Sequence, residues 1–190
     1  MTPIELENLK SRMARGESFT FRPFYGHTPR ADGKLSDACF SQWWKSRFTV
    51  EGVAYATAEH FMMASKARLF GDEQALAKIL ASEDPSEVKA IGREVKSFVD
   101  TRWAAARFDA VTQGSIAKFS STPELKAFLL STGDEILVEA APRDRIWGIG
   151  LGRENPLVKD PSGWRGLNLL GFALVRARAA MRSNVIRDSD

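Results

Sequence analysis

The sequence predicts an α+β protein, mainly α-helical, formed by a single compact domain with a small antiparallel sheet. Three observations lead to this prediction. The 190 residues suit one domain with a buried core, and 44% of them are hydrophobic. Segments with helix start signals outnumber the short segments that are typical of strands. The regular alternation of strands and helices that forms a parallel dinucleotide-binding sheet is missing.

Composition excludes several protein classes. With 14 Gly, 8 Pro and 1 Cys, the chain is neither collagen-like, nor a disulfide scaffold, nor wholly disordered. Cys39 cannot form an internal disulfide, which favours a reducing compartment, and we interpret it as a buried thiol. No apolar run reaches the roughly 18–20 residues that a membrane-spanning helix needs, and the polar first residues form no signal-peptide core. We therefore expect a cytoplasmic protein with no membrane partner.

The charge balance is only mildly basic. The formal net charge is +3, from 27 basic and 24 acidic residues. Much of the excess lies near the C-terminus, where a solvated helix face explains it as well as a phosphate-binding stripe does. Charge by itself therefore does not predict a nucleic-acid-binding protein.

We divide the chain into an N-terminal arm (residues 1–16), a domain (17–182) and a polar tail (183–190). The first part of the domain is rich in aromatic and turn residues and predicts short strands and loops. Residues 48–55 predict a hairpin that turns at Glu51-Gly52, and residues 135–140 form the clearest later strand.

The predicted helices begin at an N-cap residue, at a proline or after a turn. Thr57 is the N-cap of the first, and Gly133 follows the fifth. Gly92, inside the third, costs about 1 kcal/mol relative to Ala and therefore predicts close packing or a kink. The helices cover residues 57–70, 73–82, 86–98, 101–121, 123–131 and about 166–182.

One of these helices carries two charged residues on its apolar face. Glu59 and Lys66 are seven positions apart, which places them about 20° from each other around the axis and about 10 Å apart along it. Met63 and Phe70 lie on the same stripe. Burying a carboxylate and an ammonium is costly unless each is paired or faces a pocket. We interpret the two as candidate catalytic residues in a pocket, with buried ion pairs as the alternative.

The loop over residues 142–152 follows a predicted strand, a position where functional residues are common. Asp144 offers a second carboxylate, Trp147 a stacking surface, and Gly148 begins a glycine run that allows a close backbone approach to a ligand. Because no βαβ unit flanks this run, it is not a dinucleotide-binding fingerprint. The alternative is a tight turn with Trp147 in the core.

Other single residues have a functional and a structural interpretation. Arg93 can clamp a phosphate or form a surface ion pair. Trp103 can stack on a base or pack in the core, and Asn168 can point into a cleft or cap the last helix. His27 and His60 have no Cys or His partner at ligand spacing, so no metal site is expected.

Taken in order, the same segments resemble the YbiA-like NADAR family over residues 24–182. Residues 39–44, Cys-Phe-Ser-Gln-Trp-Trp, depart from a Leu-Ser-Asn-Phe pattern in the family, so only Ser41 is carried over from this segment. The segments that carry the resemblance are YATAEHF (55–61), KA (66–67), GR (92–93), Trp103, KF (118–119), LSTGD (130–134), LVE (137–139), DRIWGIG (144–150) and WRGLNLLG (164–171).

The resemblance implies a compact, largely helical α+β fold and cleavage of N-glycosidic bonds. YbiA-like members are associated with hydrolysis of phosphorylated ribosylamino-pyrimidine intermediates of riboflavin biosynthesis, and other members remove ADP-ribose from guanine. By position, Glu59 and Lys66 match the catalytic helix of the family, while Asp144 and Trp147 match its later acidic loop. No metal and no redox cofactor is implied.

This chemistry agrees with the residue types. Breaking a bond between ribose C1′ and nitrogen builds positive charge on the ribose and negative charge on the leaving group, so a carboxylate and a proton donor are needed. We assign acid/base chemistry to Glu59 and a covalent or electrostatic role to Lys66. Asp144 is assigned either to ribose positioning or to the role of a general base. The candidate substrate-binding residues are Ser41, Arg93, Trp103, Trp147, Gly148 and Asn168.

The leading hypothesis is therefore an N-glycosidase that acts on a small, phosphorylated, ribosylated, nucleotide-like substrate. The alternatives are an ADP-ribosyl hydrolase acting on ADP-ribosylated guanine, including guanine in nucleic acid, and a non-catalytic module that binds ADP-ribose or another nucleotide. A purely structural helical protein would need ordinary ion-pair partners for Glu59 and Lys66.

Overall fold

Within residues 3–187, the part of the chain that the computed structural model describes, seven α-helices surround two pairs of short strands. Short 3₁₀ turns lie in the longer loops, at residues 37–40, 156–159 and 161–163. In chain order the elements are α1 (Pro3–Ala14), β1 (Phe21–Phe24), β2 (Phe48–Val50), β3 (Val53–Tyr55), α2 (Ala58–Phe70), α3 (Glu73–Ala81), α4 (Pro85–Arg93), α5 (Asp100–Phe119), α6 (Pro123–Ser131), β4 (Ile136–Glu139) and α7 (Leu169–Arg187).

The two strand pairs differ in direction. β2 and β3 form the predicted antiparallel hairpin, and its turn residues Glu51 and Gly52 both have positive φ, at 50° and 79°. The other pair, β1 with β4, is parallel, with Phe24 opposite Glu139. The prediction of an antiparallel sheet is therefore correct only for the hairpin. Parallel strands need a long connection, and here most of the helices lie between them, so no local signal marks the pairing.

Helix α2 lies at the centre of the molecule and packs against α3, α4 and α5. Its start is as predicted, because the Thr57 side chain accepts a hydrogen bond from the His60 N–H. Its end is a left-handed Gly71, which accommodates the turn into α3. A second layer follows, in which α7 packs against both α5 and β4. These contacts connect the central helix to the parallel strand pair.

Two glycines allow neighbouring elements to approach closely. A Cβ atom on Gly92 would overlap the side chain of Met63, so this glycine brings α4 against α2 and the close packing predicted for it is confirmed. A Cβ atom on Gly171 would overlap the carbonyl oxygen of Leu137. Gly171 thus allows α7 to lie directly on β4.

The bounds of two helices differ from the prediction by three residues or more. α4 ends at Arg93 rather than at residue 98, and the following loop contains Ser97 at a positive φ of 55°, which is not helical. α7 begins at Leu169 rather than at about residue 166, because Asn168 also has a positive φ, of 54°.

The N-terminal arm contains a helix, and the last helix extends beyond the predicted end of the domain. α1 forms most of the arm, and its Leu6 and Leu9 are buried in the main core. α7 continues to Arg187 and so includes the first five residues of the tail predicted at 183–190. Residues 1–2 and 188–190 lie outside the described part of the chain.

Among residues 3–187, no helix combines the length and the apolar character that crossing a membrane requires.

We expect the substitution Gly171→Ala to destabilise the protein by about 1–3 kcal/mol or more, because the added methyl must displace the backbone of β4. Equilibrium urea unfolding measures the change. Gly152→Ala is the matched control, since its Cβ would meet nothing closer than Pro142 Cγ at 3.5 Å. Equal midpoints for the two variants would contradict the close contact between α7 and β4.

Candidate active site

A cavity of about 1090 Å³ lies where the parallel strand pair meets α2 and α4. Parallel strands bring the residues that follow their carboxyl ends to the same edge. Here, residues 25–27 follow β1 and residues 141–147 follow β4, and both segments line the cavity. The remaining wall is formed by residues 41–43 and by side chains of α2 and α4.

Six of the nine predicted site residues line this cavity, and the structure therefore brings together side chains from four separate segments. Three do not line it. Trp103 faces a second cavity of about 600 Å³ between the hairpin, α2 and α5, whereas Gly148 and Asn168 are not among the lining residues of either cavity. The six lining residues are Ser41, Glu59, Lys66, Arg93, Asp144 and Trp147.

Glu59 is held in the first turn of α2 with its carboxyl group in the cavity wall. The residue is only 3% exposed, and its Oε1 atom is buried without a hydrogen-bond partner among the described residues. Burial raises the pKa of Glu59 to about 7; the charge of Asp144 adds to this rise, while Lys89, Trp43 and Arg93 oppose it. The carboxyl can therefore take up or release a proton near neutral pH.

Glu139 is a second buried carboxyl in the same cavity, and it is not among the site residues predicted from the sequence. It is the last residue of β4, and its Oε2 atom is buried without a partner among the described residues. Burial raises its pKa to about 8, with contributions from the negative charges of Asp144 and Glu59 and an opposing effect of Lys89. A carboxylate at the end of a strand is a usable signal, but only once that strand is known to be parallel.

Asp144 organises the loop that follows β4. Its Oδ1 atom accepts hydrogen bonds from the backbone N–H groups of Ile146 and Trp147, both at 2.8 Å, and of Gly148 at 3.5 Å. Gly148 itself is needed for packing, because a Cβ atom there would come 2.8 Å from the carbonyl oxygen of Glu139. The loop is thus closed by one carboxylate oxygen and packed directly beneath Glu139.

Asn168 holds the end of β4 instead of facing the cavity. It is fully buried; its Oδ1 accepts from the Glu139 N–H and its Nδ2 donates to the Leu137 carbonyl, both at 2.9 Å. These two bonds fix the backbone on both sides of Val138. Asn168 therefore does not point into the cleft, which was one of its two predicted alternatives. It contributes to the site by fixing the position of Glu139.

Lys66 lies further along the same face of α2 as Glu59, as the helical spacing predicted, and is 8% exposed. Its Nζ donates to the Gly92 carbonyl at 2.6 Å and lies 4.1 Å from the centre of the Phe98 ring. Burial lowers the pKa of Lys66, while the charge of Asp100 opposes this change. Because of this desolvation, a larger fraction of Lys66 is in the neutral amine form than for an exposed lysine.

Aromatic side chains and unpaired cations, all at least partly exposed, also line the cavity. The rings of His27 and Trp43 are 5.4 Å apart, and Lys89 Nζ lies 5.5 Å from the centre of the Trp43 ring. Within the described part of the chain, four cations that line the cavity form no ion pair. They are Lys89 and Arg93 on α4 and Arg143 and Arg145 on the loop after β4. Carboxyl groups inside and cations around them suit a ligand with a polar sugar and an anionic group.

The chain is similar to a known protein family and to individual curated proteins. The model of the NADAR domain family matches residues 24–182. An N-glycosidase of Acanthamoeba polyphaga mimivirus is 42% identical over 144 residues, which cover 73% of this chain and 85% of that protein. The chloroplastic riboflavin biosynthesis protein PYRR of Zea mays is 34% identical over 138 residues, covering 69% of this chain and 20% of PYRR.

A solved structure has the same fold. The NMR structure of the Escherichia coli protein YbiA superposes with a TM-score of 0.71 at 25% sequence identity, covering 90% of this chain and 89% of YbiA. This agreement confirms the mainly helical α+β domain that the sequence predicted.

We expect Glu139→Gln to stabilise the protein increasingly as pH rises. The folded-state pKa lies above the ordinary value of 4.5, so between 4.5 and about 8 the folded protein retains a proton that the unfolded chain has lost. The free energy of unfolding of the wild-type protein therefore falls as pH rises through this range, by up to about 1.4 kcal/mol per pH unit. Because glutamine does not titrate, Glu139→Gln does not show this decrease.

Urea unfolding of both proteins at several pH values between 5 and 8 measures the difference. The control is Glu154→Gln, which removes an exposed carboxyl from a loop. A stability difference between Glu139→Gln and wild type that does not change with pH would contradict the buried, protonated state of Glu139.

Proposed function

The chain belongs to the NADAR family, and from this premise we propose that it is an N-glycosidase. We further propose that it hydrolyses the bond between C1′ of a phosphorylated ribose and an amino-pyrimidine. The observation that carries the proposal is the pair of buried carboxyl groups, Glu59 and Glu139, whose pKa values are raised to about 7 and about 8 in one cavity.

Two interacting carboxyl groups that titrate near neutral pH suit this reaction. One can hold a proton and give it to the leaving nitrogen, while its ionised neighbour stabilises the positive charge on the ribose and activates water. The water oxygen bonds to C1′ as the carbon–nitrogen bond breaks, and one water proton passes to the carboxylate. The negative charge of Glu59 contributes to the raised pKa of Glu139, so ionisation of Glu59 favours the protonated form of Glu139.

Lys66 offers a covalent variant of the same reaction. Its neutral amine can attack C1′ of the opened sugar, displace the leaving amine and form an imine that water then hydrolyses. Burial against Phe98 favours this variant by lowering the pKa of Lys66, although the charge of Asp100 opposes it. In the non-covalent variant, the ammonium stabilises the ligand electrostatically from the same position.

Substrate recognition follows from the other lining residues. Trp147 and Trp43 offer aromatic surfaces for a planar base, so base stacking is assigned to them rather than to Trp103, which lies at the second cavity. Arg93 and Lys89 are unpaired cations on one side of the cavity and suit the ribose phosphate. Ser41 lines the same cavity, and its hydroxyl accepts a hydrogen bond from the Trp43 N–H at 3.1 Å.

A second candidate is the removal of ADP-ribose from guanine. The observation that favours it is the arrangement of cations as two pairs, one on α4 and one on the loop after β4, since a diphosphate can engage both. The cavity volume of about 1090 Å³ also suits a ligand larger than one nucleotide. A merely ligand-binding module is less well supported, because binding does not require two buried carboxyls with raised pKa values.

The experiment that tests the proposal is mass spectrometry of small products. Wild type and Glu59→Gln are incubated with a phosphorylated ribosylamino-pyrimidine and, separately, with an oligonucleotide that contains ADP-ribosylated guanine. Release of ribose 5-phosphate by wild type, with a loss of at least about 100-fold in Glu59→Gln, is expected. Release of ADP-ribose only would support the second candidate, and no product from either substrate would refute both.

We expect borohydride added during turnover to trap a covalent sugar adduct on Lys66, because reduction of an imine yields a stable secondary amine. Intact-mass measurement of wild type detects the adduct, and Lys66→Arg, which keeps the positive charge but is a poor nucleophile, abolishes it. Turnover of wild type without any trapped adduct would exclude the covalent variant and leave the carboxyl mechanism in place.

A further inference from the structure

Lys118 is a buried cation that the reaction scheme does not use. It lies on α5, is 1% exposed, and forms no ion pair with any described acidic residue. Its Nζ donates instead to two backbone carbonyls, those of Cys39 at 2.6 Å and Ser41 at 2.8 Å. A lysine buried without a carboxylate is costly, and its hydrogen bonds are both made to one short segment of the chain.

That segment, residues 39–43, connects directly to the active site. Ser41, Gln42 and Trp43 line the catalytic cavity. The Gln42 carbonyl accepts a hydrogen bond from the Glu59 N–H at 3.0 Å. Because the first N–H groups of a helix have no partner within the helix, this bond ties the first turn of α2 to the segment.

We propose that Lys118 is a positioning residue for the glycosidase site: it fixes the backbone of residues 39–43 and, through the Gln42 carbonyl, the first turn of α2 that carries Glu59. Three consecutive links define the connection. Lys118 holds the carbonyls of Cys39 and Ser41, the peptide of Gln42 follows, and its carbonyl holds the amide of Glu59. The amide of Trp43 is held within the segment, by the Ser41 hydroxyl at 3.1 Å.

The number of N–H groups on Lys118 agrees with this role. Burial lowers the pKa of Lys118 to about 7, so the neutral amine is populated near neutral pH. A neutral lysine amine still carries two N–H donors, one for each carbonyl. The segment therefore remains held whether or not Lys118 carries a charge, whereas an apolar side chain of similar length would leave the Cys39 carbonyl without its donor.

The kinetic part of the test rests on the proposed function, and the structural part does not. Lys118→Met removes the donors but preserves much of the side-chain volume, Lys118→Arg retains donors, and Lys78→Met on the exposed face of α3 is the control. Amide hydrogen exchange, resolved by residue, reports on residues 41–44 and on Glu59. Steady-state kinetics with the phosphorylated ribosylamino-pyrimidine reports kcat and KM separately.

We expect Lys118→Met to remain folded, to exchange the amides of Trp43, Trp44 and Glu59 at least about tenfold faster, and to lose about 100-fold in kcat, the cost of a displacement of about 1 Å at a reacting group. KM should change much less than kcat, and Lys118→Arg should recover part of kcat. Unchanged exchange at Glu59, or unchanged kcat despite faster exchange, would overturn the proposal.

Two further outcomes separate the explanations. Inactive wild type would refute the proposed function, while hydrogen exchange would still test the role of Lys118. If Lys118→Met does not fold, amide hydrogen exchange of the wild-type protein is the test. The proposal then requires the Glu59 amide to be protected from exchange as strongly as the amides in the middle of α2. Exchange as fast as that of an unbonded amide at a helix start would overturn the proposal.

Discussion

The burial of two carboxyl groups in one cavity is the constraint on which the rest of the structure depends. Removing Glu59 and Glu139 from water disfavours their charged forms, and each has a buried oxygen for which the described residues provide no partner. This cost raises both pKa values toward the pH at which a carboxyl can donate and accept protons. It also requires rigid surroundings, because a mobile wall would admit water and restore ordinary acidity.

That rigidity comes from side chains that bond to the backbone behind the cavity. Asn168 bonds to the backbone of Leu137 and Glu139 in β4, and Asp144 closes the next loop with one oxygen. Lys118 holds the segment whose Gln42 carbonyl accepts a hydrogen bond from the first turn of α2. All three polar groups satisfy buried or partly buried backbone groups, which would otherwise cost stability. Asn168 and Lys118 do this from outside the lining of the cavity, whereas Asp144 both braces its loop and lines the cavity.

Charge is distributed unevenly around the cavity. Carboxyls occupy its buried part, whereas Lys89, Arg93, Arg143 and Arg145 lie on α4 and on the loop after β4. Lys89 lowers the pKa of both buried glutamates without forming an ion pair with either. Both pKa values nevertheless remain above the ordinary value of a glutamate. Such a distribution favours a ligand that places its phosphate among the cations and its glycosidic bond among the carboxyls.

The sequence by itself determined the elements that depend on local signals. Thr57 and Gly71 delimit α2, the Glu51-Gly52 turn forms the hairpin, and helical spacing places Glu59 and Lys66 on one buried face. Only the tertiary structure decided the rest. The parallel pairing of β1 with β4 brings together residues more than 100 positions apart, and this pairing makes Glu139 part of the site and turns Asn168 into its support. Trp103 has the residue type expected of a stacking surface but lies at another cavity. Residue type and spacing report what a side chain can do, whereas the direction in which it points is set by packing between elements that are distant in sequence.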